Sequence, residues 1–265
     1  MRIISLIASA TEIVHALGLQ ALMVGRSHEC DYPAQVKLLP VCTGPKFSIE
    51  GSSAQIDQRV RTIVSESLSV YKVDADLLNQ LSPTHILTQS QCEVCAVSLK
   101  DVEQAVCSVV TSSPQVISLQ PDSLNDVFND IALVGQALQV NERAQKLIVD
   151  LQDRLTAIST KAAALPRRTV AFIEWIEPLM AGGNWMPTLI EAAGGTNLFG
   201  VENKHSPYMD KEQIQGADPD VIVISPCGFD IARTLQETPL LQQWSFWSEL
   251  KCVANKNVYV ADGNQ

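Results

Sequence analysis

Residues 123–164 have the sequence SLNDVFNDIALVGQALQVNERAQKLIVDLQDRLTAISTKAAA, and their pattern says most about the fold. No proline interrupts these 42 residues, and their apolar side chains recur every three or four positions, as in an amphipathic helix. Gly135 and Asn141 mark a bend, so the pattern predicts a short helix and then a long helix that Pro166 ends. The pair is either an ordinary set of crossover helices or a helical spine that joins two lobes.

Short apolar runs alternate with helical patterns on both sides of this stretch, which is typical of βαβ units and parallel sheets. Strands are predicted at residues 2–7, 22–25, 84–88, 116–118, 169–174, 221–225 and 258–261. Ser9 or Thr11 is expected to cap the first helix, and residues 55–81 form an amphipathic helical region.

The predicted architecture is α/β, with an N-terminal lobe (1–121), a linking helix (122–166) and a C-terminal lobe (167–265). The sequence stops directly after a strand, which a doubly wound lobe would normally cover with a helix. We therefore expect the C-terminal lobe to be truncated.

The composition excludes several classes of protein. With 46% hydrophobic and 18% charged residues the chain is not disordered, and no apolar run approaches the ~18–20 residues of a membrane span. The 19 Lys and Arg against 29 Asp and Glu give a net charge of −10, which disfavours binding to nucleic acid.

The compartment is indicated by the cysteines and by the N-terminus. An odd count of seven cysteines leaves at least one thiol unpaired, which is unusual in a secreted chain. The first twenty residues lack the basic start, continuous apolar run and cleavage site of a signal peptide. As written the protein is expected in the cytoplasm, and in the periplasm or another extracytoplasmic space if a leader is missing.

Motifs spread over the whole chain form an ordered set: ISLIASATEI at 4–13, ALG at 16–18, LSPTHI at 81–86, AGGN at 181–184, AGGTN at 193–197 and ADPDVIV at 217–223. Together with the uninterrupted helix, this set resembles the substrate-binding proteins of ABC importers for cobalamin and iron chelates. The segments SHECDYP at 27–33 and QCEVC at 91–95 resemble the cobalamin-binding branch most.

The resemblance implies two Rossmann-like lobes joined by a rigid helix, with the ligand held in the cleft between them. It implies a monomer that binds cobalamin or a related corrinoid or metal chelate without catalysis and without a required cofactor. It also implies delivery to an ABC permease through one acidic residue per lobe. Asp76 and Glu212 match those docking positions, although Asp76 departs from the usual Glu.

Ligand contacts are expected beyond the carboxyl ends of the strands, where open α/β sheets bind their ligands. The expected contact residues are Ser9, Tyr32, Gln89, Gln91, Trp175, Gly182, Gly183, Asn184, Trp185, Cys227 and Phe229. Glycines let the backbone approach a ligand, and the two tryptophans suit a large flat ring. For each tryptophan, packing in the core or at a lobe interface is the alternative.

A second constellation consists of His28, Cys30, Cys92 and Cys95. Three thiolates and an imidazole would suit tetrahedral Zn²⁺. The alternatives are buried reduced cysteines, a redox disulfide between Cys92 and Cys95, or direct contact with the ligand. Cys42, Cys107 and Cys252 are interpreted as structural.

Two functions therefore compete. The first is a solute-binding protein for a corrinoid. The second is an intracellular metal- or redox-dependent protein that uses the His and Cys cluster on the same fold. No nucleophile elbow, phosphate loop or dinucleotide motif supports an enzyme.

Overall fold

The computed structural model describes residues 1–65, 70–90, 99–108 and 110–264, apart from the side chains of residues 107 and 108. Its contacts divide the chain into two compact units. The first unit contains Met1–Glu50, Gln58–Pro121 and Asn125–Val149. The second contains Gly51–Asp57, Asp122–Leu124 and Asp150–Gln265.

The first unit is built on a parallel sheet with the strand order β2-β1-β5-β6. Its strands are β1 (Ile3–Ser5), β2 (Met23–Arg26), β5 (His85–Gln89) and β6 (Gln115–Leu119). A separate two-stranded antiparallel sheet pairs β3 (Thr43–Pro45) with β4 (Tyr71–Val73). Its helices are α1 (Ala8–Ala16), most of α2 (Ser53–Ser65), α3 (Ala75–Leu81), α4 (Leu99–Ser108) and α5 (Leu124–Ala137). Ile4, Leu78 and Ile86 are fully buried, so the sheet is covered by apolar side chains.

The second unit has its own sheet, in which β11, β10, β7 and β8 follow one another and β9 also pairs with β7. Its strands are β7 (Arg168–Trp175), β8 (Met180–Ala181), β9 (Gly195–Asn197), β10 (Val221–Ile224) and β11 (Val258–Val260). Its helices are α7 (Met186–Ala192), α8 (Lys211–Ala217), α9 (Ile231–Gln242) and α10 (Lys251–Ala254). All strand pairs are parallel except β7 with β8, and Ile173 and Ile222 lie at the centre of the core.

The helical stretch consists of α5 followed by α6 (Asn141–Ala162), with the break at residues 138–140. Gln139 has a φ of +60°, and the amide of Val140 donates to the carbonyl of Gly135. A Cβ at Gly135 would lie 2.3 Å from the Cβ of Ala144, so glycine allows the two helices to approach closely. The prediction of a short and then a long helix is confirmed.

The α/β class and two separate, mostly parallel sheets are likewise as predicted, but two local predictions were wrong. Neither Ser9 nor Thr11 caps α1, which begins at Ala8, and the Thr11 hydroxyl instead donates to the carbonyl of Ile7. Residues 55–81 are not one helical region, because β4 lies between α2 and α3. The antiparallel pair of strands β3 and β4 was not predicted. Within the described ranges, no helix is both long and apolar enough to cross a membrane.

Candidate functional site

The carboxyl ends of β7 and β10 bring three predicted contact residues together. The two strands are parallel neighbours, and the ladder continues past β10 because the amide of Cys227 donates to the carbonyl of Glu174 over 3.2 Å. The rings of Trp175 and Phe229 pack with their centroids 5.1 Å apart and tilted by 52°. Phe229 is only 7% exposed, so it supports Trp175, which is the more accessible of the two rings.

Behind this aromatic pair lies a charged group that the sequence analysis missed. The Arg233 guanidinium lies over the Phe229 ring at 4.3 Å and contacts the Glu237 carboxylate at 2.5 Å, one turn further along α9. The same guanidinium donates to the carbonyl of Gly51 over 2.6 Å. Because the two charges stand at an (i, i+4) spacing on a helix, they look like an ordinary solvated pair in the sequence. Only the folded structure shows that Glu237 is buried, with 5% of its surface exposed.

The loop that contains Gly182, Gly183, Asn184 and Trp185 follows β8. Because β8 runs antiparallel to β7, the loop is directed back along β7, and the amide of Gly182 donates to the carbonyl of Phe172. Its contacts therefore differ from those of the Trp175 and Phe229 pair.

The protein itself occupies the space beside both glycines. A Cβ on Gly182 would meet the Phe172 ring at 2.7 Å, and one on Gly183 would meet the carbonyl oxygen of Lys204 at 2.4 Å. The glycines thus permit close approach between two parts of this chain, and their contact with a ligand stays a prediction. Asn184 adopts a φ of +51°, and Trp185 directly precedes α7.

A partly buried carboxylate ties this loop to β7. Glu174 accepts a hydrogen bond of 2.7 Å from the Ser206 hydroxyl, which in turn accepts one from the amide of Gly183. Burial raises the pKa of Glu174 above its ordinary value, against the opposing effect of these hydrogen bonds.

In the first unit, the loop after β2 packs on the first turns of α1. The Thr11 hydroxyl lies 3.0 Å from the Cys30 sulfur, and Cys30 is fully buried. Ser9 is exposed on α1, Tyr32 is exposed at the end of the loop, and Gln89 is buried at the carboxyl end of β5. The ligand contacts of these last three residues stay predictions.

A polar cluster beside this loop was also missed, because it depends on the unpredicted pairing of β3 with β4. The Tyr71 hydroxyl donates to Glu29 over 3.2 Å, and the His28 ring packs against the Tyr71 ring with 5.1 Å between centroids. The His28 Nδ1 lies 2.8 Å from the Thr43 hydroxyl. Burial raises the pKa of Glu29 to about 7 and lowers the pKa of His28.

The described part of the chain gives no support to a zinc site. Cys30 is fully buried, and burial raises the pKa of its thiol to about 11. Among the described residues, no three His, Cys, Asp or Glu side chains gather in a way that could hold a metal ion. Gln91, Cys92 and Cys95 lie outside the described residues.

The two predicted docking acids occupy equivalent local positions. Asp76 lies in the first turn of α3, which the Asp74 side chain caps through the amide of Leu77. Glu212 lies in the first turn of α8, where Asp210 and Gln213 form a capping box. Both acids are exposed, and a carboxylate in a first turn favours the helix dipole whatever else it does.

Comparison with known proteins shows which families and folds this chain is similar to. A family model described as "Periplasmic binding protein" matches residues 3–264. A vitamin B12-binding protein of Vibrio vulnificus is 24% identical over 253 residues, which cover 93% of this chain and 80% of that protein.

Solved structures share the fold. A periplasmic heme binding protein from Pseudomonas aeruginosa superposes with a TM-score of 0.73 at 19% identity, covering 99% of this chain and 84% of that one. The periplasmic vitamin B12 binding protein of Vibrio cholerae gives a TM-score of 0.67 at 19% identity, with 99% and 88% covered.

Proposed function

The chain belongs to the periplasmic binding protein family, and from that premise we propose that it binds cobalamin or a related corrinoid or metal chelate and delivers it to an ABC importer. The relatives described above bind vitamin B12 or heme, both of which are large, flat metal chelates. Delivery to an importer requires the protein to work outside the cytoplasmic membrane.

One observation carries the proposal for this chain: the Trp175 indole rests on the Phe229 ring at the carboxyl ends of β7 and β10. An indole held in place by a second ring loses little conformational entropy when a flat ligand packs on it. The carboxyl edge is also where open α/β sheets bind their ligands. Glu177 fixes the indole further, because its carbonyl accepts from the indole nitrogen over 3.0 Å.

The interaction with a permease is the second part of the proposal. Asp76 and Glu212 are exposed carboxylates on short helices, which suits an ion pair with basic residues of a membrane partner. Exposed pairs of this kind gain from long-range attraction and weaken with salt, so docking is expected to depend on ionic strength.

The test is to titrate the purified protein with cyanocobalamin, hemin and a ferric siderophore, using equilibrium dialysis. Replacing Trp175 by Ala should weaken binding by about 10- to 150-fold, since a buried aromatic side chain is worth about 1.5–3 kcal/mol. Replacing both Trp175 and Trp185 should weaken binding further if both contact the ligand.

Trp247 provides the matched control, because it is a tryptophan of the same unit whose ring packs on Trp244. Trp247→Ala should retain wild-type affinity. Unchanged affinity in Trp175→Ala would remove this residue from the site, and failure of the wild type to bind any of the three ligands would remove the proposed function.

A further inference from the structure

We propose that Arg233 is a positioning residue. It couples the packing of Trp175 and Phe229, at the carboxyl end of β7, to the first turn of α2. The inference rests on the proposed function only where it concerns ligand, because the coupling itself is built from contacts within the second unit. It adds that a ligand bound at Trp175 and Phe229 would change the stability of the segment at residues 51–57.

The contacts form a continuous series. Trp175 packs on Phe229, and the Arg233 guanidinium lies over the same Phe229 ring at 4.3 Å from its centroid. Arg233 holds Glu237 at 2.5 Å, and the same Glu237 oxygen accepts the amide of Ser53 over 2.8 Å. Ser53 is the first residue of α2.

Arg233 also acts on the approach to α2 directly. Its guanidinium donates to the carbonyl of Gly51, whose φ of +106° suits glycine alone. Two residues of one turn, Gly51 and Ser53, are thus fixed by one charged pair. The amide of Ser53 is among the first four of its helix, which have no partner within the helix and need one from outside.

Burial makes this pair sensitive to its surroundings. The second carboxylate oxygen of Glu237 is buried and has no hydrogen-bond partner among the described residues, so Arg233 is the main source of compensating charge. The Phe229 ring in turn stabilises the guanidinium by a cation–π contact, which is stronger away from water. A change in how Trp175 and Phe229 pack therefore alters the strength with which Arg233 holds Glu237 and Gly51.

The first experiment needs no ligand and measures amide hydrogen exchange in peptides that cover residues 51–57. Phe229→Leu keeps an apolar side chain and removes the ring face below Arg233. Exchange in this segment should become about 3- to 30-fold faster, the range that cation–π energies correspond to. Phe246→Leu is the matched control, because Phe246 is a similarly buried phenylalanine of the same unit that packs on Trp244.

The coupling is overturned if Phe229→Leu exchanges at the wild-type rate, or if Phe246→Leu accelerates residues 51–57 as much. Arg233→Lys, which keeps the charge and loses the planar fork, should lie between wild type and Arg233→Met. Should Arg233→Met fail to fold, the Phe229→Leu and Arg233→Lys variants decide the matter by the same measurement.

The second experiment repeats the exchange measurement at saturating cyanocobalamin and, separately, hemin. Bound ligand should change exchange at residues 51–57 in the wild type and leave it unchanged in Arg233→Lys or Arg233→Met. If a probe binds without altering exchange at residues 51–57, the proposed effect of the ligand on this segment is wrong. The proposed function then still stands. If neither probe binds, the proposed function fails, and the ligand-free comparison still decides whether the coupling exists.

Discussion

The two sheets end in edges of opposite chemistry. Beyond β2 in the first unit lies a polar loop, in which His28, Glu29 and Cys30 are held by hydroxyl groups and are biased towards their uncharged forms. Beyond β7 and β10 in the second unit lies an aromatic pair supported by a charged one, Arg233 with Glu237.

The difference shows two ways of burying ionisable groups beside a site. Where burial outweighs the effect of the hydrogen-bond partners, the pKa shifts towards the uncharged form, which is how Glu29 and Cys30 behave. A group with a buried counter-ion keeps its charge and depends on that partner instead. The first edge should therefore respond to pH, and the second to the loss of a partner.

The largest effect should come from breaking the charged pair of the second edge. Arg233→Met leaves the Glu237 carboxylate buried without its counter-ion, and we expect the free energy of unfolding to fall by about 3–5 kcal/mol. Urea unfolding followed by far-UV circular dichroism measures this loss. The double variant Arg233→Met with Glu237→Leu should recover much of it, since it removes both charges, and a double variant no more stable than the single one would contradict the argument.

The next effect compares cysteines of the two edges. At pH 8 a thiol with a pKa of about 11 is almost wholly protonated, so Cys30 should react with iodoacetamide at least about 100-fold more slowly than exposed Cys227. Peptide mapping by mass spectrometry at successive times gives both rates. Cys42, buried with a pKa of about 12, is the control within the first unit and should be as slow as Cys30. Rapid labelling of Cys30 would show that the first edge opens in solution.

The smallest effect is the pH dependence of the first edge. The pKa of Glu29 is about 7 in the folded protein and about 4.5 when unfolded, so the folded state holds the proton between these values. Stability should accordingly decrease as pH rises from 4.5 through 7. The side chain is 39% exposed, so screening limits the loss to about 1 kcal/mol. Glu29→Gln should remove this part of the slope in urea unfolding at pH 5 and pH 8, whereas Glu50→Gln at an exposed position should not.

The sequence predicted those strands and helices whose hydrophobic residues recur with the period of a strand or a helix. The central strands β5, β7 and β10 and the two consecutive helices are long enough to carry such a pattern. The strand β3 is not, because its Thr43-Gly44-Pro45 sequence has two residues that are depleted in strands. The limits of the predicted lobes at residues 121 and 167 stay predictions.

The candidate site was predictable only in part. The carboxyl-edge rule gave the positions of Trp175, Cys227 and Phe229, since it needs only the strand ends. It gave nothing for Arg233 and Glu237, whose burial depends on the segment at residues 51–57, about 180 positions away in the chain. Glu29 was missed because its partner Tyr71 lies on β4, a strand that the sequence analysis did not predict.

The pairing of β1 has a consequence for the order of events during synthesis. β1 stands between β2 and β5 in its sheet, and the segments that meet there, such as Arg2 and Thr84, are 82 positions apart. A ribosome adding about 5–20 residues each second therefore releases the apolar β1 several seconds before β5 exists to cover it. Closing so long a loop is slow as well, so the nascent first unit should be a client of chaperones until β5 emerges.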